Sequence, residues 1–431
     1  MPYLSTEDPV RVGAAVEFTD PVILDYRYGA WTFQPTTQVT GANDAAPVAF
    51  ENTREATPQD VGGDLQIASF NVLNYFSSLG EDEPGCEFYP DREGTPTTTD
   101  WCEVRGAYDE ESFERQETKI VAAITTLGAE VVALEEIENS RYFTADEDRD
   151  EALATLTAAL NEADGDGTWA YVASPDEVPA DEDVIRNAFV YRADRVTPVG
   201  ESEILIGSDA FDNAREPLAQ VFRALDEADE PVGAEFAVIT NHFKSKGSGE
   251  GPGNEVDEGQ GLSNADRVAQ AEALVDFADD LYGDDMPVFL VGDFNAYTAE
   301  DPLVVLDTAG YANLGQTMTD EDTYSFGGLV GSLDHIFGDA EAVELVTGVD
   351  IWTINSVEAI GLEYSRYNYN VTDLYDTSPF RSSDHDPILV GLDVVDEAPE
   401  PGPGAQRYGF FLNNDWDPWA DIAFQYGRHA D

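Results

Sequence analysis

From Leu65 onward the chain alternates between strand-like and helix-like segments, and this alternation restricts the fold more than any other feature. Strand-like runs rich in β-branched and aromatic residues include LQIASFNV, EVVALEEI, NAFVYR, EFAVITNHF, MPVFLVGDFN, SLDHIFG and DPILVGLDVV. Amphipathic helical segments lie among them, namely ESFERQETKIVAAITTLG, RDEALATLTAALNEA and SNADRVAQAEALVDFADDLYG. Strands interleaved with helices predict an α/β fold built around sheets.

The composition changes at both ends of this region, which predicts three parts. Residues 1–60 hold a few short strands, and we interpret them as a partial N-terminal β segment that ends an upstream domain. Residues 61–395 form the main domain. Residues 396–431 are a Pro and Gly linker followed by a tail rich in aromatic residues and Asp. The tail is either the start of an appended module or a segment that packs on the main domain.

Acidic residues dominate the charge of the chain. It contains 88 Asp and Glu against 21 Lys and Arg, a formal net charge of -67, and the acidic residues are spread over its whole length. At ~1 M salt the Debye length falls to about 3 Å, so neighbouring carboxylates largely stop repelling one another. The pattern therefore favours adaptation to concentrated salt over the two alternatives, an acidic tail or an ordinary acidic protein. Only three lysines are present, Lys119, Lys244 and Lys246.

The two cysteines, Cys86 and Cys102, lie close together in a polar segment. We expect a disulfide that closes a small loop, which would place the protein outside the cell; two free thiols are the alternative. No apolar run of about 18 residues exists, so we expect no membrane insertion. No export signal is recognisable at Met1. Secretion therefore requires that the signal has been removed or lies upstream.

Polar residues cluster where the predicted strands end, which is where catalytic groups gather in open α/β sheets. They are Asn71, Glu135, Glu136, His242, Asp293, Asn295, Asp334, His335, Asp384, His385 and Asp386. Any one of them alone is more typical of a helix cap or a solvated turn. Together, their carboxylate and amide oxygens suit Mg²⁺ or Mn²⁺, with Ca²⁺ as a third candidate, and the histidines suit proton transfer.

The motifs SFNVLNY, LEEIEN, NHFKSKG, VGDFNAY, SLDHIF and SSDHDP, in this order, resemble the endonuclease/exonuclease/phosphatase superfamily. The resemblance covers about residues 60 to 395 and implies the DNase I-like fold. This fold is a four-layered α/β sandwich of two packed mixed sheets flanked by helices. The runs RQETKIVAAI, CEVRGA and WTINSVEAIGLEYS further resemble the large secreted nucleases of bacteria and haloarchaea.

The resemblance implies a metal site and a set of catalytic roles. Glu136 would be the principal metal ligand, with Asn71 and Asp384 completing the site, while Glu135 would be an adjacent acid that does not bind the metal. Asp293 would orient or deprotonate the attacking water, and Asn295 would hold a phosphate oxygen. His385, paired with Asp334, would act as general base or charged donor. His242 would donate to the leaving oxygen or to a non-bridging oxygen. Which residue is the base stays open.

Substrate contacts are expected from the few cations near these motifs. In a chain that otherwise excludes lysine, Lys244 and Lys246 directly after His242 suggest contact with a phosphate backbone, with an incidental basic turn as the alternative. Arg186 and Arg381 would either extend this positive rim or pair with acidic neighbours.

The sequence thus predicts a secreted, salt-adapted, metal-dependent nuclease, a monomer that hydrolyses phosphodiester bonds of DNA, with RNA as a further candidate. One alternative is a phosphatase or phosphodiesterase acting on a small or lipid phosphate, since fold alone does not decide the substrate. A lipid enzyme should carry an exposed apolar hairpin, and the sequence shows no clear one. Another alternative is a catalytically silent scaffold that binds partners at a surface. Internal or terminal cleavage, strand preference and the physiological metal are left open.

Overall fold

The computed structural model describes residues 4–40, 46–143, 148–283, 286–369 and 371–395, which belong to one compact unit. The predicted tail from residue 396 lies outside the described residues. The strands in chain order are β1 (Val16–Phe18), β2 (Val22–Arg27), β3 (Ala30–Pro35), β4 (Val48–Phe50), β5 (Leu65–Tyr75), β6 (Glu87–Pro90), β7 (Pro96–Asp100), β8 (Val131–Glu138), β9 (Trp169–Tyr171), β10 (Ile185–Arg192), β11 (Val196–Ile204), β12 (Arg215–Leu225), β13 (Pro231–His242), β14 (Val288–Asp293), β15 (Ala312–Asn313), β16 (Tyr324–Phe326), β17 (Leu329–Gly331), β18 (Asp334–Gly338), β19 (Val346–Ile351) and β20 (Ile388–Leu392). The α-helices are α1 (Glu110–Leu127), α2 (Glu151–Asp164), α3 (Asn264–Leu281), α4 (Asp301–Ala309), α5 (Leu314–Met318) and α6 (Ala340–Leu345).

Two six-stranded mixed sheets, counted within the described residues, form the centre of the molecule. Their strand orders are β19-β20-β5-β8-β10-β9 and β11-β12-β13-β14-β18-β15. Each sheet has one parallel pair in the middle, β5 with β8 and β13 with β14, and its other neighbours are antiparallel. Parallel strands need a long crossover, and α1 and α3 provide it.

The two sheets pack face to face, and helices cover both outer faces. The core between the sheets includes Ile67 and Ala133 from one and Val238 and Val291 from the other. Helices α1 and α2 pack on the first sheet, and α3 and α4 pack on the second. This arrangement confirms the predicted four-layered sandwich.

Local sequence signals set the limits of the longest helix on the first sheet. Helix α1 begins after Asp109, whose side chain accepts a hydrogen bond from the Ser112 amide, and it ends at Gly128 with φ of 77°. Strands β11 and β12 were not among the predicted segments. The edge strand β11 contains Pro198, which a sheet tolerates at an edge but which obscures the strand pattern.

The N-terminal segment forms two small antiparallel pairs, β1 with β4 and β2 with β3. Its attachment to the main domain includes Arg54, whose Nε and Nη2 donate to the buried Glu358 carboxylate at 2.9 and 2.7 Å. The hairpin of β2 and β3 has a largely exposed apolar surface that includes Tyr28 and Trp31. The structure therefore contradicts the expectation that no exposed aromatic hairpin exists.

The predicted disulfide between Cys86 and Cys102 is present, with the two Cα atoms 4.9 Å apart. It joins the two chain segments that flank the hairpin of β6 and β7. The bridge therefore closes a short loop on the surface, as the spacing of the cysteines predicts.

Candidate active site

The carboxyl ends of the two parallel strand pairs come together at one edge of the sandwich. In the second sheet His242 lies opposite Asp293, and Asp293 lies opposite Asp334. The first sheet contributes Asn71, whose Nδ2 is 3.4 Å from Asp293 Oδ2. Because this hydrogen bond joins the two sheets, it shows that strand ends far apart in sequence form one cluster of polar side chains.

On the first-sheet side of the cluster, Asn71 Nδ2 donates to Glu136 Oε1 at 3.3 Å. Glu136 has a left-handed φ of 66°, a conformation that non-glycine residues rarely adopt and that is enriched at functional sites. Burial, followed by the nearby charge of Asp384, raises the pKa of the Glu136 carboxyl. Glu136 Oε2 is buried and has no hydrogen-bond partner among the described residues.

These features fit a divalent cation. The Glu136 and Asp384 carboxylates repel each other, and Glu136 has a buried oxygen without a hydrogen-bond donor among the described residues, so a cation would relieve the repulsion and supply the missing contact. Asn71 Oδ1 accepts from the Leu73 amide at 3.0 Å, and an amide oxygen has a second lone pair for a metal. A second set of donors, Asp293, Asp334 and His385, also has ligand atoms within 4.8 Å of one another.

Asp293 receives hydrogen bonds from several sides. Its Oδ1 accepts from the Asn295 amide at 2.8 Å, and its Oδ2 accepts from Asn295 Nδ2 at 3.1 Å and lies 3.3 Å from His242 Nε2. Burial raises the pKa of Asp293 to about 7. The amide nitrogen of Asn295 donates to Asp293 and to the Phe243 carbonyl, so Asn295 orients Asp293. Contact of Asn295 with a phosphate oxygen stays a prediction.

The two histidines of the cluster differ in charge. His385 Nδ1 lies 2.7 Å from Asp334 Oδ2. Burial opposes protonation of this ring, but the charges of Asp334 and Asp384 outweigh it and hold the His385 pKa well above its usual range. Burial and the neighbouring Arg215 instead place the His242 pKa well below its usual range. The site therefore pairs a charged imidazolium with a neutral imidazole.

Three of the polar residues singled out in the sequence serve the structure around the cluster. Glu135 is buried between the sheets, where its carboxylate accepts from Thr240 at 2.9 Å, and burial followed by Asp334 raises its pKa well above the usual range. His335 contacts the Asn313 side chain and the Ala296 carbonyl, both at 3.0 Å. Asp386 accepts from the backbone amides of residues 355 and 356.

The two arginines expected near the substrate have acidic partners. Arg186 is buried and donates to Asp150 at 2.8 Å. Arg381 is also buried, donates to the Asn355 carbonyl at 2.7 Å and lies 3.6 Å from Glu363. These contacts support the pairing alternative over a substrate-binding role.

The two lysines after His242 differ from each other. Lys246 forms an ion pair with Glu300, and its ammonium lies 5.1 Å from the centre of the Tyr297 ring. The Lys244 ammonium makes no hydrogen bond or ion pair with any described residue, whereas its backbone is held by Gln270 and Arg267. Lys244 is therefore the lysine available for an external anion.

Sequence reasoning missed two residues of the site. Arg215 is buried opposite His242 in the strand register, and its Nη2 donates to the Phe243 carbonyl at 3.0 Å. Tyr324 lies against His385, with ring centroids 4.7 Å apart. A signal existed for Tyr324, because YSF and LVG separated by Gly-Gly are typical of a β-hairpin.

The sequence profile of the Endonuclease/Exonuclease/phosphatase family matches residues 68–385, about three quarters of the chain. The chain belongs to this family. The predicted superfamily is thereby confirmed, and members of the family are usually metal-dependent hydrolases. No curated protein sequence matches this family member.

Several solved structures are similar to this chain. The catalytic domain of human Nocturnin with bound sulfate is 15% identical with a TM-score of 0.44, covering 77% of this chain and 96% of that chain. A mannosyl-6-phosphatase of Bacteroides thetaiotaomicron is 15% identical with a TM-score of 0.45, and the match covers 76% of this chain and 99% of that chain. D. rerio TDP2 complexed with a single-strand DNA product is 12% identical with a TM-score of 0.41, and the match covers 76% of this chain and 97% of that chain.

In the described part of this family member, no helix combines the length and apolar character needed to cross a bilayer.

Proposed function

We propose that this family member is a secreted, salt-adapted, metal-dependent nuclease that hydrolyses phosphodiester bonds of DNA, with RNA as a further substrate. The observation that supports hydrolysis of a phosphate ester is the single cluster formed by Glu136, Asp293 and the pair of His385 with Asp334. A phosphodiester is anionic, and its hydrolysis requires charge neutralisation and an aimed water.

The side chains divide these tasks. Asn71, Glu136 and Asp384 would hold a divalent ion, and that ion would supply charge neutralisation at the phosphate. Asp293, with a pKa of about 7, is suited to accept a proton from the attacking water. The charged His385, held by Asp334, donates a hydrogen bond to a phosphate oxygen, and the neutral His242 lies beside Asp293.

Two further observations support the nucleic acid and the location. Lys244 follows His242 closely, and its ammonium has no partner among the described residues, which suits contact with a phosphate backbone. The disulfide and the charge of -67 support secretion into a salty medium, and we propose a monomer.

A lipid phosphate is the main rival substrate. The exposed hairpin of β2 and β3, with Tyr28 and Trp31, offers the apolar surface that an enzyme needs to dock on a lipid layer. The deciding experiment incubates the protein in concentrated KCl with circular DNA, linear DNA, RNA, a sugar phosphate monoester or phosphatidylcholine vesicles, each with Mg²⁺, Mn²⁺ or chelator.

Metal-dependent cleavage of the polynucleotides, abolished by chelator, is the expected result. Products from circular DNA would additionally indicate internal cleavage. Hydrolysis of the monoester or of the lipid alone would overturn the nuclease proposal. Binding of DNA without turnover under every metal condition would instead support the silent scaffold.

A further inference from the structure

The hairpin of β16 and β17 carries apolar side chains into solvent beside the active site. Its sequence from residue 324 to residue 331, YSFGGLVG, contains no charged residue, although the chain as a whole has a formal net charge of -67. Phe326 is 72% exposed and Leu329 is 79% exposed. Exposed apolar groups on so acidic a surface are candidates for contact with a ligand.

The hairpin is continuous with the catalytic cluster. The Tyr324 ring packs against His385, and the backbones of the two residues form an isolated β-bridge. Side chains two residues apart in a strand point to the same face, about 7 Å from each other. Phe326 therefore shares the face on which Tyr324 contacts His385. Leu329 lies directly opposite Phe326 in the register and belongs to this face as well.

The opposite end of the same face leads to a cation. Gly331 pairs with Tyr324, and a Cβ atom at Gly331 would come within 2.8 Å of the Tyr297 ring, so Tyr297 packs closely on this face. The Lys246 ammonium lies 5.1 Å from the centre of that ring. Aromatic groups thus extend from His385 along the hairpin in one direction and toward a lysine in the other.

This arrangement matches a strand of nucleic acid better than a membrane. Its apolar groups begin at the Tyr324 ring, which packs on His385, and Phe326 follows about 7 Å further along the same face, so a ligand that covers Phe326 must carry an apolar face near the reacting phosphate. A nucleobase near the scissile phosphate satisfies this requirement. Base stacking also keeps its strength in salt, whereas contacts to phosphate weaken as salt rises. With Lys246 already paired to Glu300, phosphate contacts near the site are few.

We infer that Phe326, supported by Leu329, is a specificity-determining residue that stacks on an unpaired nucleobase near the scissile phosphate. The inference rests on the proposed nuclease function and assigns a preference for single-stranded or locally opened substrate. Because only an unstacked base offers its face to Phe326, a base held in a duplex cannot make this contact.

The test compares oligo(dT) with an oligomer of the same length whose sugar-phosphate backbone carries no bases. Four proteins are assayed in concentrated KCl, once with Mn²⁺ and once with Mg²⁺. They are the wild type, Phe326→Ala, Phe326→Trp and the control Tyr28→Ala. Tyr28 is a matched control, because it is a fully exposed aromatic residue at the tip of a different hairpin. Equal thermal unfolding midpoints for the four proteins exclude a folding defect.

We expect the wild type and Tyr28→Ala to have a KM for oligo(dT) about 5- to 150-fold below that for the abasic oligomer. Phe326→Ala should lose most of this difference by raising the KM for oligo(dT) alone, and Phe326→Trp should retain it. An unchanged difference in Phe326→Ala would overturn the inference while the nuclease proposal stands. Loss of binding to phosphatidylcholine vesicles in Phe326→Ala, with unchanged KM for oligo(dT), would make the hairpin a lipid contact instead. A wild type that cleaves circular DNA but neither oligomer would overturn the inference alone, whereas a wild type that cleaves no polynucleotide would overturn both proposals.

Discussion

Asp334 Oδ2 lies 2.7 Å from His385 Nδ1, and both side chains are almost completely buried. This contact joins a strand of the second sheet to the segment that precedes β20 of the first sheet. A carboxylate in this position fixes the orientation of the imidazole and stabilises its charged form. Under the proposed function, the charged ring would meet the phosphate through its other nitrogen.

Replacing His385 with Ala should abolish this donor. We expect kcat to fall by about 100- to 10,000-fold, while the affinity for DNA changes little because backbone contacts persist. Turnover and DNA binding are measured under the same salt conditions, with Asp320→Asn as an exposed control. Wild-type turnover by the His385 variant would support the silent scaffold.

Replacing Glu136 with Gln should weaken metal binding. The amide keeps the size of the side chain but removes the charge that faces Asp384, so we expect the affinity for Mn²⁺ to fall at least about tenfold. Isothermal titration of Mn²⁺ measures this change directly. The exposed Glu341→Gln on α6 is the control, and equal Mn²⁺ affinity of the two variants would contradict the assigned ligand.

Salt should affect catalysis less than in most nucleases. Because few cations contact the backbone and screening reduces the repulsion between the chain and DNA, we expect activity to persist or rise toward multimolar KCl. Lys244→Gln should reduce the salt slope of DNA binding by about one unit. A steady decline in wild-type rate with rising KCl, with the circular dichroism spectrum unchanged, would count against this prediction.

Removing the disulfide should destabilise the fold. Cys86 and Cys102 are 16 positions apart, and a loop of this size is stabilised by about 3 kcal/mol when it is closed. We expect the double replacement by Ser to lower the free energy of unfolding by about 2–4 kcal/mol in urea titrations. Reducing agent should lower wild-type stability and leave the variant unchanged; the same response in both would contradict the prediction.

The pH dependence of stability should include Glu216 on β12. Burial raises its carboxyl pKa from 4.5 to about 7. Above about pH 4.5 Glu216 releases its proton in the unfolded chain but keeps it in the folded chain. The free energy of unfolding therefore falls as pH rises, until Glu216 also ionises in the folded chain at about pH 7. Glu216→Gln should therefore become more stable relative to wild type over this interval, measured by urea unfolding. The exposed Glu227→Gln is the control, and a pH-independent difference for Glu216→Gln would refute the assignment.

Local sequence was enough to predict the layers of the fold and the order of the motifs. Period-2 and period-3.6 patterns are properties of neighbouring residues, so segments such as EVVALEEI and ESFERQETKIVAAITTLG reveal their structure without tertiary contacts. The same holds for the Cys86 and Cys102 pair. Strand β11 escaped prediction because its Pro198 is acceptable only at a sheet edge, and edges are set by long-range pairing.

The sequence by itself therefore determined the family, the sandwich and which polar residues follow the strands. Only the tertiary structure decided the partner of each charge: Arg186 and Arg381 bind acidic groups, Lys246 binds Glu300, and Arg215 is buried opposite His242. It also placed Tyr324 on His385 and left Phe326 in solvent. The physical reason is that burial and ion pairing depend on which distant segments meet, whereas residue type and spacing record only local preference.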